Sequence, residues 1–518
     1  MTVAIYARGP ALLALGLAAL GLGACTTKPA QQAATPVANP CGADATALSS
    51  KLPATVGTTE SAVDCFAWAS FVALNWQADP ARPGYPDPAA GPANFGIGTS
   101  PAVWETYMEA ANVFGPVLKG QWLDKRPAVK QLTRTSKFGP LDLSDITQAG
   151  GGNHWLTSQR GDITYYEVMM NRDEFEFITT QKGFDLTTAA GQLACAEQPG
   201  KVVSDGPPVN PPPTGPLRGG LVLPEGNQPG WIDTDCTGDR MTLTDGVGAM
   251  EIKASWTPLP ADHSLNYRYK TATAELVDPV TKAKRTVTVG LTGLHIARKR
   301  FPSHQWTWST FEHIDNSPDE AANNGWAAPA LPANPNQQPS PGYTFFNPKC
   351  DPNNNSYKCV HNAPPVRCTT SQIVCNPYGA PMQITRLNPV NATANAATAW
   401  YWSLLPAKSV FNYYRLINVQ WPQTPGNPQA PGQIVPLGQG NPMPRGASGG
   451  AATIVSNTTM ESFQQANASC MDCHVYASIA TPASLQTQPN GLRKLANPKA
   501  SPQYASDYSF IFSSETKR

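Results

Sequence analysis

The stretch RTVTVGLTGLHIA, residues 285–297, decides the fold predicted for this chain. Threonine and valine favour extended backbone, and alternation with a period of two is typical of a β-strand. On a regular strand the odd-numbered residues share one face, and these are Val287, Val289, Leu291, Gly293 and His295. The pattern therefore predicts a strand on which the imidazole of His295 points toward apolar neighbours.

Neighbouring stretches have the same character, being rich in Val, Thr, Tyr and Trp. They are Ile163–Met169, Ala249–Trp256, Tyr267–Leu276 and Gln305–Ile314. The chain also holds 52 prolines and 42 glycines, which indicate long irregular loops. The predicted fold class is α+β, with a β-rich core that is an antiparallel sheet or a sandwich, several helices and long Pro/Gly loops.

Two aromatic stretches before this region predict buried helices. Residues 66–76 are apolar nearly all round, as in a helix covered on every side. A second set recurs at helical spacing and comprises Trp104, Tyr107, Met108, Ala111 and Phe114. Asn171 with Glu174 predicts the capped start of a further helix. We expect the aromatic residues to belong to the core.

The first 24 residues read as an export signal, with Arg8 before an apolar run too short to span a bilayer. Leu22-Gly23-Ala24-Cys25 resembles a lipobox, which predicts a lipid on Cys25 and an outer-membrane-anchored periplasmic lipoprotein. An ordinary cleaved signal peptide is the alternative. Residues 25–58 lack periodicity and predict a flexible tether.

Residues 59–518 are expected to form one large domain, with a possible internal boundary in the Pro/Gly-rich stretch 197–230. Charged residues make up only 14% of the chain and the formal net charge is +1. Such a composition offers no basic field for nucleic acid, so we expect no nucleic-acid partner.

Near the C-terminus, residues 470–474 read Cys-Met-Asp-Cys-His, the C-x-x-C-H pattern that attaches a c-type haem. The two thiols form thioethers with the haem, and the histidine gives a nitrogen to the iron. We therefore predict one covalent haem c on Cys470 and Cys473, with His474 as proximal iron ligand. A local disulfide or half of a zinc site is the alternative, but no second ligand pair of similar spacing follows.

The residues before this motif predict the helix that carries it. Thr458 can cap a helix and Glu461 stands three residues later, as in a capping box. The spacing of Met460, Phe463, Asn467 and Cys470 continues the helical pattern. We therefore assign residues 456–518 to a C-terminal haem-binding segment.

The ligand on the other side of the iron has to precede the motif or be absent, because no methionine follows Met471 and no histidine follows His474. His295 is the first candidate, since an imidazole among apolar neighbours needs a polar partner. His313 is the second, and Trp306 and Trp308 are expected to shield the haem edge. Further candidates are His154, His263, His304, His361 and Met382.

The remaining cysteines fit an oxidising compartment. Of 11 cysteines, setting aside Cys25, Cys470 and Cys473 leaves eight, an even number as disulfides require. Our hypothesis is local pairing: Cys41 with Cys65, and Cys195 with Cys236. The last four cysteines, Cys350, Cys359, Cys368 and Cys375, would pair among themselves.

Several stretches, together with the haem motif, resemble a group of large, exported, single-haem bacterial proteins of the cytochrome c family. They are residues 66–68, 71–76, 293–296, 308–313 and 412–414. The resemblance implies no particular substrate, and it assigns roles only to Cys470, Cys473 and His474. The expected function is periplasmic electron transfer with an unidentified redox partner protein or small-molecule donor. The alternatives are a peroxidase-like haem c oxidoreductase with an open distal site, or a non-enzymatic haem-based sensor or scaffold.

Overall fold

The computed structural model describes most of the chain from residue 37 onward. The described residues are 37–42, 45–114, 121–122, 127–133, 155–198, 218–279, 281–300, 306–319, 331–350, 359–363, 381–388, 390–421, 455–465, 470, 474, 477, 479–480, 485–487, 493–495 and 504–513. Residues 38–518 form one compact unit. Within the described ranges, no helix combines the length and the hydropathy needed to cross a bilayer.

The described residues include twelve strands, numbered in chain order. They are β1 (Met108–Glu109), β2 (Lys130–Leu132), β3 (Tyr165–Met170), β4 (Arg218–Gly220), β5 (Met250–Pro258), β6 (Thr271–Val277), β7 (Lys284–Lys299), β8 (Trp306–His313), β9 (Tyr414–Gln420), β10 (Leu485–Thr487), β11 (Arg493–Leu495) and β12 (Tyr504–Ala505). The helices are α1 (Glu60–Leu74), α2 (Ala110–Val113), α3 (Arg172–Thr179), α4 (Ala189–Ala196) and α5 (Ala392–Leu404).

Strands β1–β3 and β5–β9 form an eight-stranded sheet that curls part-way toward a barrel. The five strands predicted from alternation, now β3 and β5–β8, are confirmed to within a few residues. The α+β class is likewise confirmed. The sheet is mixed rather than purely antiparallel, because β2 runs parallel to β6 at its edge.

The long strand β7 organises the sheet. One of its edges pairs with β5, and the other is divided between β6 and β8. Gly293 lies opposite Ser255 whereas Leu291 lies opposite Trp256, so Thr292 is an extra residue, which makes a β-bulge. A bulge shifts the alternation of side chains by one position. The face that Leu291 shares therefore continues with Leu294 and Ile296, both in the main apolar core, and not with His295.

The two faces of the sheet have different coverings. Helices α1 and α5 pack on one face, where Trp68 of α1 stacks on Tyr401 of α5 at 5.2 Å between ring centroids. We call the other the site face: it carries Trp306 and Trp308, which pack with residues near the C-terminus such as Ile479 and Phe512. Trp306 and Trp308 share this face, whereas Phe311 of the same strand lies in the apolar core on the opposite one.

Disulfides join residues that are close in sequence. Cys41 bonds to Cys65 and Cys195 to Cys236, as predicted. Cys350 bonds to Cys359, in agreement with pairing among the last four cysteines. Cys368 and Cys375 lie outside the described residues.

Two expectations about local structure are wrong. The set from Trp104 to Phe114 is buried as expected, but it is not one helix: a 3₁₀ turn, strand β1 and the short helix α2 follow one another, because Met108 and Glu109 pair with β3. The compact unit also begins at residue 38, inside the predicted tether of residues 25–58. Arg298 and Arg300 donate hydrogen bonds to the carbonyls of Pro53 and Ala54, which hold that stretch against the body.

Candidate functional site

A cavity on the site face brings together residues that are far apart in sequence. It is small and partly open to solvent, and the sheet and the chain near the C-terminus both line it. The sheet contributes Glu251, Lys253, His295, Ala297 and Trp308, and the chain after residue 454 contributes Val455, Glu461, Cys470 and His474. Three residues singled out by sequence, His295, Cys470 and His474, thus line one cavity. Cys473 lies outside the described residues.

His295 reaches this cavity because of the bulge at Thr292. The expectation that it shares the face of Val289 and Leu291 is wrong, since those two side chains lie in the core on the opposite face. His295 instead lies beside Lys253 on β5, and its Nε2 is 3.6 Å from Glu461 Oε2. The imidazole therefore has charged neighbours in the cavity wall, Glu251, Lys253 and Glu461, and not the apolar neighbours that the alternation predicts.

His474 is buried and held at one ring nitrogen. Its side chain lies against Trp308, with ring centroids 4.3 Å apart, and against Phe510, with centroids 5.1 Å apart. The Nδ1 atom is 2.6 Å from the backbone carbonyl oxygen of Tyr508. A carbonyl oxygen can only accept, so Nδ1 carries the proton and Nε2 is the nitrogen with a lone pair. This is the arrangement in which a metal-binding histidine is held by its second nitrogen.

Residues 455–465 bring Glu461 to the cavity as successive turns, so the predicted helix starting at Thr458 is wrong for these residues. Asn457 takes the capping role: its Oδ1 accepts from Thr459 N–H at 2.9 Å, and Glu461 Oε2 accepts from Asn457 N–H at 2.8 Å. Thr458 is used elsewhere, because its backbone N–H and its hydroxyl both donate to Glu312 of β8. Cys470 and His474 each have helical backbone, and Cys470 is half-buried.

The cavity wall also contains an indole N–H without an acceptor. Trp308 is 6% exposed, and its Nε1 has no hydrogen-bond partner among the residues that the structure describes. Buried indole N–H groups ordinarily find an acceptor. The wall therefore offers a hydrogen-bond donor to a group bound in the cavity.

A pair of carboxyl groups adjoins the cavity. Burial raises the pKa of Glu174 well above its ordinary value, and the nearby Glu251 and Asp507 raise it further. Burial also raises the pKa of Glu251, although the Lys253 ammonium acts against this. Two carboxylates packed together in a poorly solvated place cannot both ionise cheaply, so Glu174 keeps its proton to a higher pH than an ordinary glutamate.

We expect Glu174→Gln to gain stability relative to the wild type as the pH rises. The folded protein holds the Glu174 proton more tightly than the unfolded chain, so the wild type loses stability as the pH rises above the ordinary glutamate pKa. Glutamine cannot ionise and escapes that loss. Denaturant unfolding of both proteins at about pH 5 and about pH 8 measures the change.

Glu176→Gln is the matched control for this comparison. Burial acts to raise the pKa of Glu176, but hydrogen bonds from Thr244 and Arg172 outweigh it and lower the pKa. Glu176 therefore contributes its stability in full above the ordinary glutamate pKa, and the difference between Glu176→Gln and the wild type should stay nearly constant from about pH 5 to about pH 8. An unchanged difference between Glu174→Gln and the wild type at both pH values would contradict the buried carboxyl pair.

The structure does not bring His313 to the cavity. Its ring stacks on Tyr269 at 3.7 Å between centroids, and burial lowers the pKa of His313 to about 4. Nε2 donates to the carbonyl of Arg268 at 3.1 Å, while Nδ1 accepts from Asp315 N–H at 3.1 Å. Both nitrogens are therefore used within the fold, and His313 is not placed to bind iron in this cavity.

The other candidate ligands also lie elsewhere or outside the described residues. His263 is exposed, His361 lies beside Phe346, and Met382 belongs to a small separate apolar cluster. Cys25, His154 and His304 lie outside the described residues. Among the described side chains, no group of three or more His, Cys, Asp or Glu is arranged to hold a bare metal ion.

Sequence reasoning missed several residues of the cavity. Lys253 and Glu251 are charged residues on a central strand, and that unusual position was the available signal. Tyr508 acts through its backbone carbonyl, which no sequence pattern reports. Comparison of the chain with protein-family models, with curated proteins and with solved structures found no match.

Proposed function

We propose that this chain is an exported protein that carries one haem c and transfers electrons at the cell envelope. Cys470 and Cys473 would hold the haem through thioethers and His474 would bind its iron; lipid on Cys25 would tether the chain to a membrane. The observation that carries the proposal is that His474, held at Nδ1 by the Tyr508 carbonyl, lines one cavity with Cys470. When bound, the haem supplies a one-electron redox couple.

The residues of the cavity suit a haem group. A thiol and an oriented imidazole supply the covalent and the coordinating attachment, and the Trp308 N–H is available to an acceptor on the bound group. Trp308 and Phe510 pack on the His474 ring and keep water from it. The sheet side of the cavity is built on β5, β7 and β8, which are paired strands, so its side chains have little freedom to move.

We further propose that His295 is the second iron ligand. It lines the same cavity as His474, and the Glu461 carboxylate lies 3.6 Å from its Nε2. Glu461 is itself held by the N–H of Asn457. A second histidine would complete the coordination of the iron and suit an electron carrier.

We expect the purified wild-type protein to show a low-spin, six-coordinate haem spectrum, and His295→Ala to show a high-spin spectrum that responds rapidly to cyanide or carbon monoxide. Losing a strong nitrogen ligand opens one iron position, which explains the change. Imidazole added to His295→Gly should restore the wild-type spectrum. His263→Ala, at an exposed histidine, is the control and should leave the spectrum as it is. An unchanged spectrum in His295→Ala would remove His295 as a ligand.

The second candidate function is a peroxidase-like oxidoreductase with an open distal site. The charged lining of the cavity favours it, because Glu251, Lys253 and Glu461 beside His295 could hold and move protons at a bound substrate. A high-spin wild-type spectrum, together with turnover of peroxide and an aromatic donor, would select this function. A low-spin wild-type spectrum, together with no turnover of peroxide, would select the electron carrier.

A further inference from the structure

Asp507 and Tyr508 have an unusual backbone conformation. Their φ angles are +53° and +64°, and neither residue is glycine. Residues with a side chain rarely adopt this left-handed region, because Cβ then crowds the following carbonyl. The other non-glycine residues of this kind in the described part of the chain, His263, Lys282 and Asn362, occur singly. Two consecutive strained residues persist only where the surrounding structure holds them, and such places cluster at functional sites.

Three separate parts of the fold hold this turn. Lys299 of β7 forms a buried ion pair with the Asp507 carboxylate, which also accepts from Leu223 N–H at 2.9 Å. Trp306 of β8 donates its indole N–H to the Asp507 carbonyl at 2.7 Å. Within the turn, Ser509 N–H donates to the carbonyl of Ser506 at 3.0 Å. The conformation is therefore imposed by tertiary contacts, and chiefly by the central strands of the sheet.

The turn determines where the Tyr508 carbonyl points. That oxygen lies 2.6 Å from Nδ1 of His474, and it belongs to the second of the two left-handed residues. With ordinary backbone angles at residues 507 and 508, the carbonyl would leave this direction and His474 would lose its acceptor. The hydrogen bond of His474 thus depends on the left-handed backbone of residues 507 and 508.

We propose that Asp507, Lys299 and Trp306 are positioning residues for the haem site: they hold the left-handed turn whose carbonyl fixes the tautomer and orientation of His474. The proposal rests on the proposed function, in which His474 binds the haem iron. A strong acceptor at Nδ1–H makes the imidazole a better electron donor through Nε2. Holding this acceptor in place therefore favours oxidised iron and lowers the reduction potential.

Trp306→Phe is the principal test, because it removes one N–H donor and keeps an aromatic ring without a change in charge. In the full-length haem-loaded protein we expect its reduction potential to rise. A tenfold loss in the preference of the site for oxidised iron corresponds to a rise of about 59 mV for one electron. A second variant, Lys299→Met combined with Asp507→Asn, removes the ion pair without a net charge change and should shift the potential in the same direction.

The chain offers a closely matched control. Trp402 is also buried and also donates its indole N–H to a backbone carbonyl, that of Tyr414 at 2.8 Å, but it lies on the opposite side of the sheet. Trp402→Phe should lose stability comparably and keep the wild-type potential. Lys282→Gly relieves the same kind of backbone strain in an exposed loop and should also leave the potential unchanged.

A readout that does not need haem separates this proposal from the proposed function. Nuclear magnetic resonance of the full chain with isotope-labelled histidine reports the tautomer of His474 in haem-free protein. We expect the proton on Nδ1 in the wild type and a mixture of tautomers in Trp306→Phe. If the wild type never acquires covalent haem, the proposed function fails. If the His474 tautomer nevertheless changes in Trp306→Phe, the positioning role of the turn is supported. An unaltered tautomer and potential in both turn variants would overturn the positioning role.

Discussion

We expect replacement of both Cys470 and Cys473 by alanine to abolish the proposed covalent attachment of haem. Each thioether needs one thiol, so the double variant has no bond left that survives unfolding, whereas each single variant keeps one. Cys470 is half-buried and packs against the apolar cluster that contains Trp306 and Trp308, which would place the attached group on the site face. Intact mass and haem staining after denaturing electrophoresis measure the attachment.

The matched control for this experiment removes two other cysteines. Cys350→Ala with Cys359→Ala eliminates a short local disulfide, of sequence separation 9, and leaves the proposed haem site unchanged. This control should retain a full complement of haem. Covalent haem that persists in Cys470→Ala/Cys473→Ala, or that is missing from wild-type protein made with the maturation machinery, would rule out the proposed attachment.

Replacing Arg386 by methionine should destabilise the protein by about 3–5 kcal/mol. Arg386 is 1% exposed, forms an ion pair with Glu312 on β8, and donates to the carbonyl of Ser456 at 3.1 Å. Without Arg386, the Glu312 carboxylate is still buried away from water but no longer has this cation to compensate for its desolvation. Denaturant unfolding at neutral pH measures the loss.

Two further variants test the reason for this loss. Glu312→Gln combined with Arg386→Met removes both charges, so it should be more stable than Arg386→Met alone. Lys284→Met breaks an exposed ion pair with Glu275 and should cost no more than about 1 kcal/mol. A loss of less than about 1 kcal/mol in Arg386→Met would show that Glu312 does not depend on this cation.

The same network ties the fold to the candidate site. Glu312 accepts the backbone N–H and the hydroxyl of Thr458, and Asn457 donates its side-chain amide to the carbonyl of Phe311 at 3.0 Å. These bonds hold the turns that carry Glu461 to His295. Sequence alone showed a capping pattern here, because Thr458 and Glu461 are correctly spaced for one. The tertiary partner on β8 outweighs that local preference and leaves Asn457 as the cap.

The contrast between local sequence patterns and tertiary contacts also explains which parts of the sheet were predictable. Alternation of Val and Thr predicted strand β7 because side chains of a strand alternate between its faces whatever its neighbours are. The face of His295 was mispredicted, since one extra residue at Thr292 reverses the alternation, and a bulge arises from pairing with β5. The local disulfides Cys41–Cys65 and Cys195–Cys236 were predictable from proximity along the chain.

For this protein, the sequence by itself determined five of the eight strands of the main sheet, two disulfides and the C-x-x-C-H pattern of residues 470–474, all of which depend on neighbours in the chain. Only the tertiary structure decided that His295 shares a cavity with Cys470 and His474, and that Tyr508 holds His474. The physical reason is that such contacts join residues far apart in sequence, through strand register, a bulge and backbone carbonyls that every residue has in common.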